Sequence, residues 1–263
     1  MQKILTLLMA IFYISMSQAQ NHKNVPSVNT CVGKSFSVMA WVIEDTMGQA
    51  NLTQANVQVA IDDLNDAFDD VCVSFNLCDY TILPNARQTE PKINNEDKEI
   101  ATIHQVKNVI NIYFVENVIA DASLTIVELG DTILPDLNNA LTNAIFLPKS
   151  TATDGATINY ALGRFFGLNY THFLGDELAD ASNCLTAGDK ICDTPADPGG
   201  SADGACHLNY NSTSPNLDAN GHYYVPDVCN FMSWYSTSCR SSFTTEQYNK
   251  IAEVILKGRN YLW

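Results

Sequence analysis

Residues 157–173, TINYALGRFFGLNYTHF, keep the frame of a metal-binding helix and lack every side chain that would use the metal. The chemistry such a frame serves is zinc-assisted hydrolysis, written H-E-x-x-H-x-x-G-x-x-H. Two His one helical turn apart face one ion, and the Glu beside the first takes a proton from the metal-bound water. With Gly163, Gly167 and Leu168 as anchors, the first His falls at Tyr160 and the Glu at Ala161. The second His falls at Arg164 and the third at Tyr170.

Each replacement has a definite chemical effect. A tyrosine binds zinc only as phenolate, and with a free pKa near ~10 it is a poor ligand at neutral pH. Arg164 is decisive, because a guanidinium has no lone pair to give and its fixed charge repels a dication. Ala161 removes the general base. The remaining imidazoles are His22, His104, His172, His207 and His222; only His172 is near the helix, five residues after Gly167 rather than three. No zinc is expected. Tyr160 and Arg164, at i and i+4, are expected to stack, or Arg164 to reach a carboxylate across the cleft, filling the charge and volume of the missing ion.

The elements that would position this helix read as an α+β domain. Ser35–Glu44 is a strand, Leu52–Val71 an amphipathic helix with Val57, Val59, Ala60, Leu64 and Phe68 at helical spacing, and Val71–Leu77 a second strand. Residues Asn85–Lys98 read as a polar loop, Val109–Val115 as a central strand, and Leu124–Leu129 and Ala144–Leu147 as short strands. The site helix is expected over Thr153–Phe166, ended by Gly167. Leu168–Tyr235, rich in Gly, Pro, Asp, Asn and Cys, reads as loops, and a last helix over Thr245–Lys257 is capped by Thr244 with Ile251, Val254 and Ile255 inward.

Residues 1–19 read as an export signal: Lys3, the 13-residue apolar run Ile4–Met16, then Ser17-Gln18-Ala19. That run is shorter than the ~20 residues that span a bilayer, and no later segment is a candidate span. Residues 20–263 then form one domain, with an upper lobe over about 30–167 and a lower lobe over about 168–263. A formal charge of −15 argues against nucleic acid or an anionic membrane surface as partner. Eight cysteines in an exported chain imply disulfides rather than a thiolate metal site, since no C-x-x-C pair occurs. Cys184–Cys192 is the first expected bridge and Cys206–Cys239 the second. Cys31, Cys72, Cys78 and Cys229 stay unassigned, with Cys72–Cys78 a local option. Sequons begin at Asn51, Asn169 and Asn211.

Several segments recur together in one family. They are Leu162–Leu168 (L-G-x-F-F-G-L), Gly188-Asp189 leading to Asp193-Thr194-Pro195-Ala196-Asp197-Pro198, Tyr224-Val225-Pro226-Asp227, Asn230-Phe231-Met232-Ser233, Cys239-Arg240 and Phe243-Thr244. In this order the chain resembles the pappalysin or cytophagalysin-like metzincins, secreted zinc endopeptidases. The resemblance implies a zincin fold with a mixed twisted sheet, backing and site helices above, and a bridged, loop-rich lower lobe ending in a helix. It assigns Met232 to the turn that floors the metal site. It places a tyrosine that assists the transition state at position 234, where this chain has Trp234. It also implies a calcium site bordered by Asp189, Asp193 and Asp197, where oxygen ligands in a bridged loop suit that ion. Asp218–His222 resembles the start of a calcium loop but has Cys229 where the closing Glu belongs.

Three readings of function follow. The first is a secreted, inactive metalloprotease homologue whose vestigial cleft binds a peptide or protein. The second is an active metalloendopeptidase with a rebuilt metal site. The third is a structural or surface-interaction protein with a filled cleft.

Overall fold

The computed structural model describes residues 31–84, 96–116, 144–200, 206–208 and 216–263. The expected export signal, the Leu124–Leu129 strand, His22 and Asn211 lie outside them. Four parallel strands, β1 (Lys34–Ile43), β2 (Val73–Leu83), β3 (Ile110–Val115) and β4 (Ala144–Pro148), form a sheet in the order β2-β1-β3-β4. The sheet was expected to be mixed; among the described residues every named strand pairs in parallel. Parallel strands need cover on both faces, and β1 meets that need by alternation. Phe36, Val38, Ala40 and Val42 join the main core, while Met39, Trp41 and Ile43 join a second cluster behind the sheet.

Helix α1 (Gln54–Phe68) covers the main face with Val57, Ala60, Ile61, Leu64 and Phe68, and Thr53 caps it in a reciprocal box with Asn56. Val59, expected inward, is 43% exposed, and Ile61 takes its place on the buried stripe. Polar residues 96–98, read as loop, belong instead to α2 (Glu96–His104), which sets Ile100 and Ala101 into the second cluster. The second strand runs on past Leu77 to Leu83. It carries a bulge, because Val38 pairs with Leu77 and Met39 with Asp79, leaving Cys78 out of register.

The site helix α3 spans Ala156–Phe165, shorter than the Thr153–Phe166 expected, because Gly155 at φ 66° cannot continue a helix backward. Asp154 supplies the missing cap, accepting the Thr157 amide at 2.8 Å and the Thr157 hydroxyl at 2.6 Å. The last helix, α4 (Thr245–Lys257), buries Ile251, Val254 and Ile255 and is capped by Thr244 with Gln247.

Disulfides join Cys184–Cys192 and Cys206–Cys239 with Cα separations of 5.1 and 5.5 Å. The local Cys72–Cys78 option is overturned by Cys31–Cys72, Cα 5.1 Å apart. Its physical reason is strand alignment. Val32 donates to the Val71 carbonyl and Lys34 to the Cys72 carbonyl, which sets residues 31–34 alongside 71–72. Cys78 and Cys229 are thiols.

Candidate functional site

Helix α3 ends as a zinc helix of this pattern should, although it carries no imidazole or carboxylate at the pattern's positions. Gly167, at φ 87°, closes a Schellman motif in which Gly167 N–H meets the Arg164 carbonyl and Leu168 N–H the Gly163 carbonyl. Below the helix lies Met232, fully buried. A Cβ placed on Gly163 would come within 2.5 Å of its sulfur and 3.1 Å of Phe243. Gly163 is therefore a packing glycine, and Gly163→Ala should lose about 1–3 kcal/mol in chemical denaturation, since both neighbours must move. An unchanged midpoint would mean the floor yields freely.

The Met232 turn is fixed from several sides. Its amide donates to Asn230 Oδ1 at 2.8 Å, and Asn230 pairs with Gln247 of α4 through Nδ2 to Oε1 at 2.9 Å. Thr171 N–H meets the Met232 carbonyl at 3.1 Å, tying the segment after α3 to the turn.

The four substituted positions fall into two groups. Tyr160 and Ala161 are buried, at 1% and 5% exposure, and the Arg240 guanidinium lies 6.0 Å from the Tyr160 ring centre. Arg164 and Tyr170 are half-buried and meet each other, guanidinium to ring at 5.7 Å. The expected stacking of Arg164 on Tyr160 is thus corrected. The Schellman turn brings Leu168 and Asn169 beneath Arg164, whose Nη1 donates to the Leu168 carbonyl at 2.6 Å and to Asn169 Oδ1 at 3.2 Å. Asn169 passes the contact on, donating to the Asp189 carbonyl at 3.3 Å, so this sequon's amide is engaged on both sides.

Tyr170 continues into an aromatic cluster of tilted and edge-on rings. His172 lies 4.7 Å from it, Phe173 5.2 Å and Trp234 5.4 Å, with His172 also 4.6 Å from Trp234. Trp234 remains 47% exposed on the outside of the cluster. Burial holds the His172 imidazole below its ordinary pKa against the opposing pull of Asp197. Tyr235 is turned away, buried, with its hydroxyl on Asp197 Oδ1 at 3.0 Å.

The three candidate calcium aspartates separate on inspection. Asp193 supports the cap of α4, accepting the Thr244 hydroxyl at 2.6 Å and the Glu246 amide at 2.8 Å. Asp197 accepts the Thr171 and Tyr235 hydroxyls and the Gly199 amide. Asp218 holds its own turn through the Asn220 and His222 amides at 2.9 and 2.8 Å. Asp189 Oδ1 accepts the Ile191 amide at 2.9 Å, its Oδ2 is buried among the Thr194 hydroxyl and Gln247, and the buried carboxyl of Glu177 is near enough to feel its charge. Glu177, which the sequence reading missed, packs so closely on Gly188 that a Cβ there would fall 1.9 Å from its Oε2. Burial, followed by the neighbouring carboxylates, pushes Glu177 up to about 8, and burial pushes Asp189 up to about 7.

Among the described residues no group of three or more His, Cys, Asp or Glu is placed to hold a metal ion, and no helix is long and apolar enough to cross a membrane. The side chains around α3 do not fit zinc: two phenol rings, a methyl group and a guanidinium stand where the pattern needs imidazoles and a carboxylate.

No family model matches the chain. It is similar to an extracellular metalloprotease of Colletotrichum graminicola, 25% identical over 231 residues, covering 86% of this chain and 74% of that protein. An extracellular metalloprotease of Arthroderma benhamiae is 26% identical over 215 residues, covering 79% and 73%. Among solved structures, mature mirolysin of Tannerella forsythia, in complex with a cleaved peptide, superposes with a TM-score of 0.62 at 14% identity, covering 87% of this chain and 94% of that one. Mirolysin in complex with another compound gives a TM-score of 0.60 at 15% identity, with 87% and 96% covered. The chain is metalloprotease-like, with a metallopeptidase fold.

Proposed function

We propose that this protein is a secreted, catalytically inactive metalloprotease homologue of the pappalysin or cytophagalysin type, its vestigial cleft kept for binding a peptide or protein. The observation that carries the reading is Arg164. At the position of the second ligand it holds a fixed charge, with Nη1 donating to the Leu168 carbonyl and Asn169 Oδ1, while Ala161 leaves no base beside it. The apolar run Ile4–Met16, read as an export signal, and the extracellular relatives support secretion. The complex of mirolysin with a cleaved peptide makes a peptide the first ligand class to try.

The test is an assay of the mature chain on casein and a mixed peptide library, with added zinc and with chelator. Cleavage at background in every arm is the expected result; cleavage that a chelator abolishes would contradict it. The filled-cleft reading draws on the burial of Tyr160 and the Tyr170–His172–Trp234 cluster. Failure to retain any member of the library would favour it.

Calcium belongs to the same reading, held by Glu177, Asp189 and Thr194, where it would neutralise two buried carboxylates and fasten residues 177–194 beneath the cleft. Both carboxyls have folded pKa values above their unfolded ones. Their stabilising contribution is therefore complete below the ordinary carboxylate range and is lost as pH rises through about 7 and about 8. Calcium-free protein should melt progressively lower between pH 5 and pH 8, and added calcium should restore it most at pH 8. Glu177→Gln should remove roughly half of the pH dependence, leaving the part carried by the buried Asp189, and should abolish the calcium effect. A melting temperature indifferent to calcium at pH 8 would remove the ion from the account.

A further inference from the structure

We propose that Arg240 ties the Met232 turn to helix α3, its guanidinium fastening the turn beneath the first ligand position. A metal held at positions 160, 164 and 170 would join the helix to the segment after it and would not bind the turn, so the turn needs its own tie to the helix. Packing supplies part of it, through Met232 against Gly163.

Arg240 supplies a directed part. Its Nη1 donates to the carbonyls on both sides of Met232, Phe231 at 3.4 Å and Ser233 at 3.3 Å. The same guanidinium stands 6.0 Å from the ring of Tyr160, the residue at the first ligand position. Asp154, whose carboxylate caps the start of α3, attracts it from the far end of that helix. One planar cation thus addresses the turn through hydrogen bonds and the helix through a ring and a carboxylate. Each contact is long and individually weak, so the effect depends on a single rigid group making all of them. Lysine, a point charge on a flexible stem, cannot hold two carbonyls and a ring face together. The disulfide at the adjacent Cys239 fixes the backbone from which the side chain starts.

Because this is a positioning role, its test must read the turn itself rather than global stability alone. Amide hydrogen exchange of Met232, Ser233 and Thr171, whose donors are bonded within the turn, would be compared with that of the β1–β3 amides in the wild-type chain, Arg240→Met and Arg240→Lys. Arg240→Met keeps the apolar stem and removes the fork. It should speed exchange at the turn by about tenfold or more and leave the sheet within about twofold, and Arg240→Lys should fail to restore protection. Equal acceleration of turn and sheet, an unchanged turn, or full rescue by lysine would overturn the proposal. If Arg240→Met does not fold, Arg240→Lys is judged by the same criterion. Running every sample with and without a zinc chelator separates failure of this proposal from failure of the zinc-free reading. Loosening of the wild-type turn by chelator would count against the zinc-free reading, whereas the Arg240 comparison in chelated protein still decides the proposal.

Discussion

Replacing Arg259 by alanine should destabilise the protein by about 3 kcal/mol, among the largest effects of any single substitution away from the disulfides. Arg259 is 4% exposed. Its Nε and Nη2 both donate to the Phe165 carbonyl, at 3.2 and 2.9 Å, at the end of α3. The plane of the guanidinium lies 3.6 Å from the Phe165 ring centre, and Nη1 donates to the Tyr261 hydroxyl at 2.8 Å. Alanine would leave a buried helix-terminal carbonyl without its charge-assisted donors and open a cavity the width of the guanidinium. For a domain of this size the loss corresponds to a fall in melting temperature of roughly 6–12 °C. Lysine should recover little, because one ammonium cannot replace a fork and a stack at once. A variant that melts within about 2 °C of wild type would show that the helix end needs no cation.

The second large effect is a gain. Tyr160→His, Ala161→Glu, Arg164→His and Tyr170→His combined should create a zinc site with affinity at least about a thousandfold above that of the wild-type chain, read by calorimetry or competition with a chromophoric chelator. The basis is the backbone. The Schellman turn at Gly167 and the Met232 floor under Gly163 are both present. The weak point is the third position, because Arg164 itself fastens Leu168 and Asn169, and its removal frees the segment that carries Tyr170. A quadruple variant that folds but takes up no zinc would locate the loss in the course of residues 168–173 rather than in the four side chains alone.

How far the sequence could be read depended on what kind of interaction each residue makes. The helix frame was legible because Gly163 and Gly167 serve backbone geometry, which neither metal nor catalysis is needed to demand. Thr244 and the α4 stripe were legible because caps and 3.6-residue spacing are local. The partner of Cys72 was not, since it depends on residues 31–34 lying beside 71–72, a long-range fact. Helix α2 escaped notice because its first turn, Glu96-Asp97-Lys98-Glu99, is polar in sequence, while Ile100 and Ala101 are buried.

At the site, chemistry was easier to read than geometry. That Tyr160, Ala161, Arg164 and Tyr170 offer no imidazole or carboxylate is a matter of residue type alone. That Arg164 meets Tyr170 and Arg240 meets Tyr160 required the direction of the turn after Gly167. Glu177 gave no signal in sequence, because a single Glu in a Gly-Asp-Glu-Leu stretch is ordinarily a solvated surface residue. Its counterpart was visible only as a glycine, Gly188, whose missing side chain makes room for the carboxyl. Asp193 and Asp197 had the right chemistry for calcium, yet fold into caps and hydroxyl contacts that use their oxygens.

The most direct test of the central claim is the zinc and calcium content of the purified mature protein, measured together by mass spectrometry after dialysis against metal-free buffer. The account predicts zinc well below one ion per chain. One tightly held zinc per chain would contradict it and turn attention to His172 and a rebuilt site.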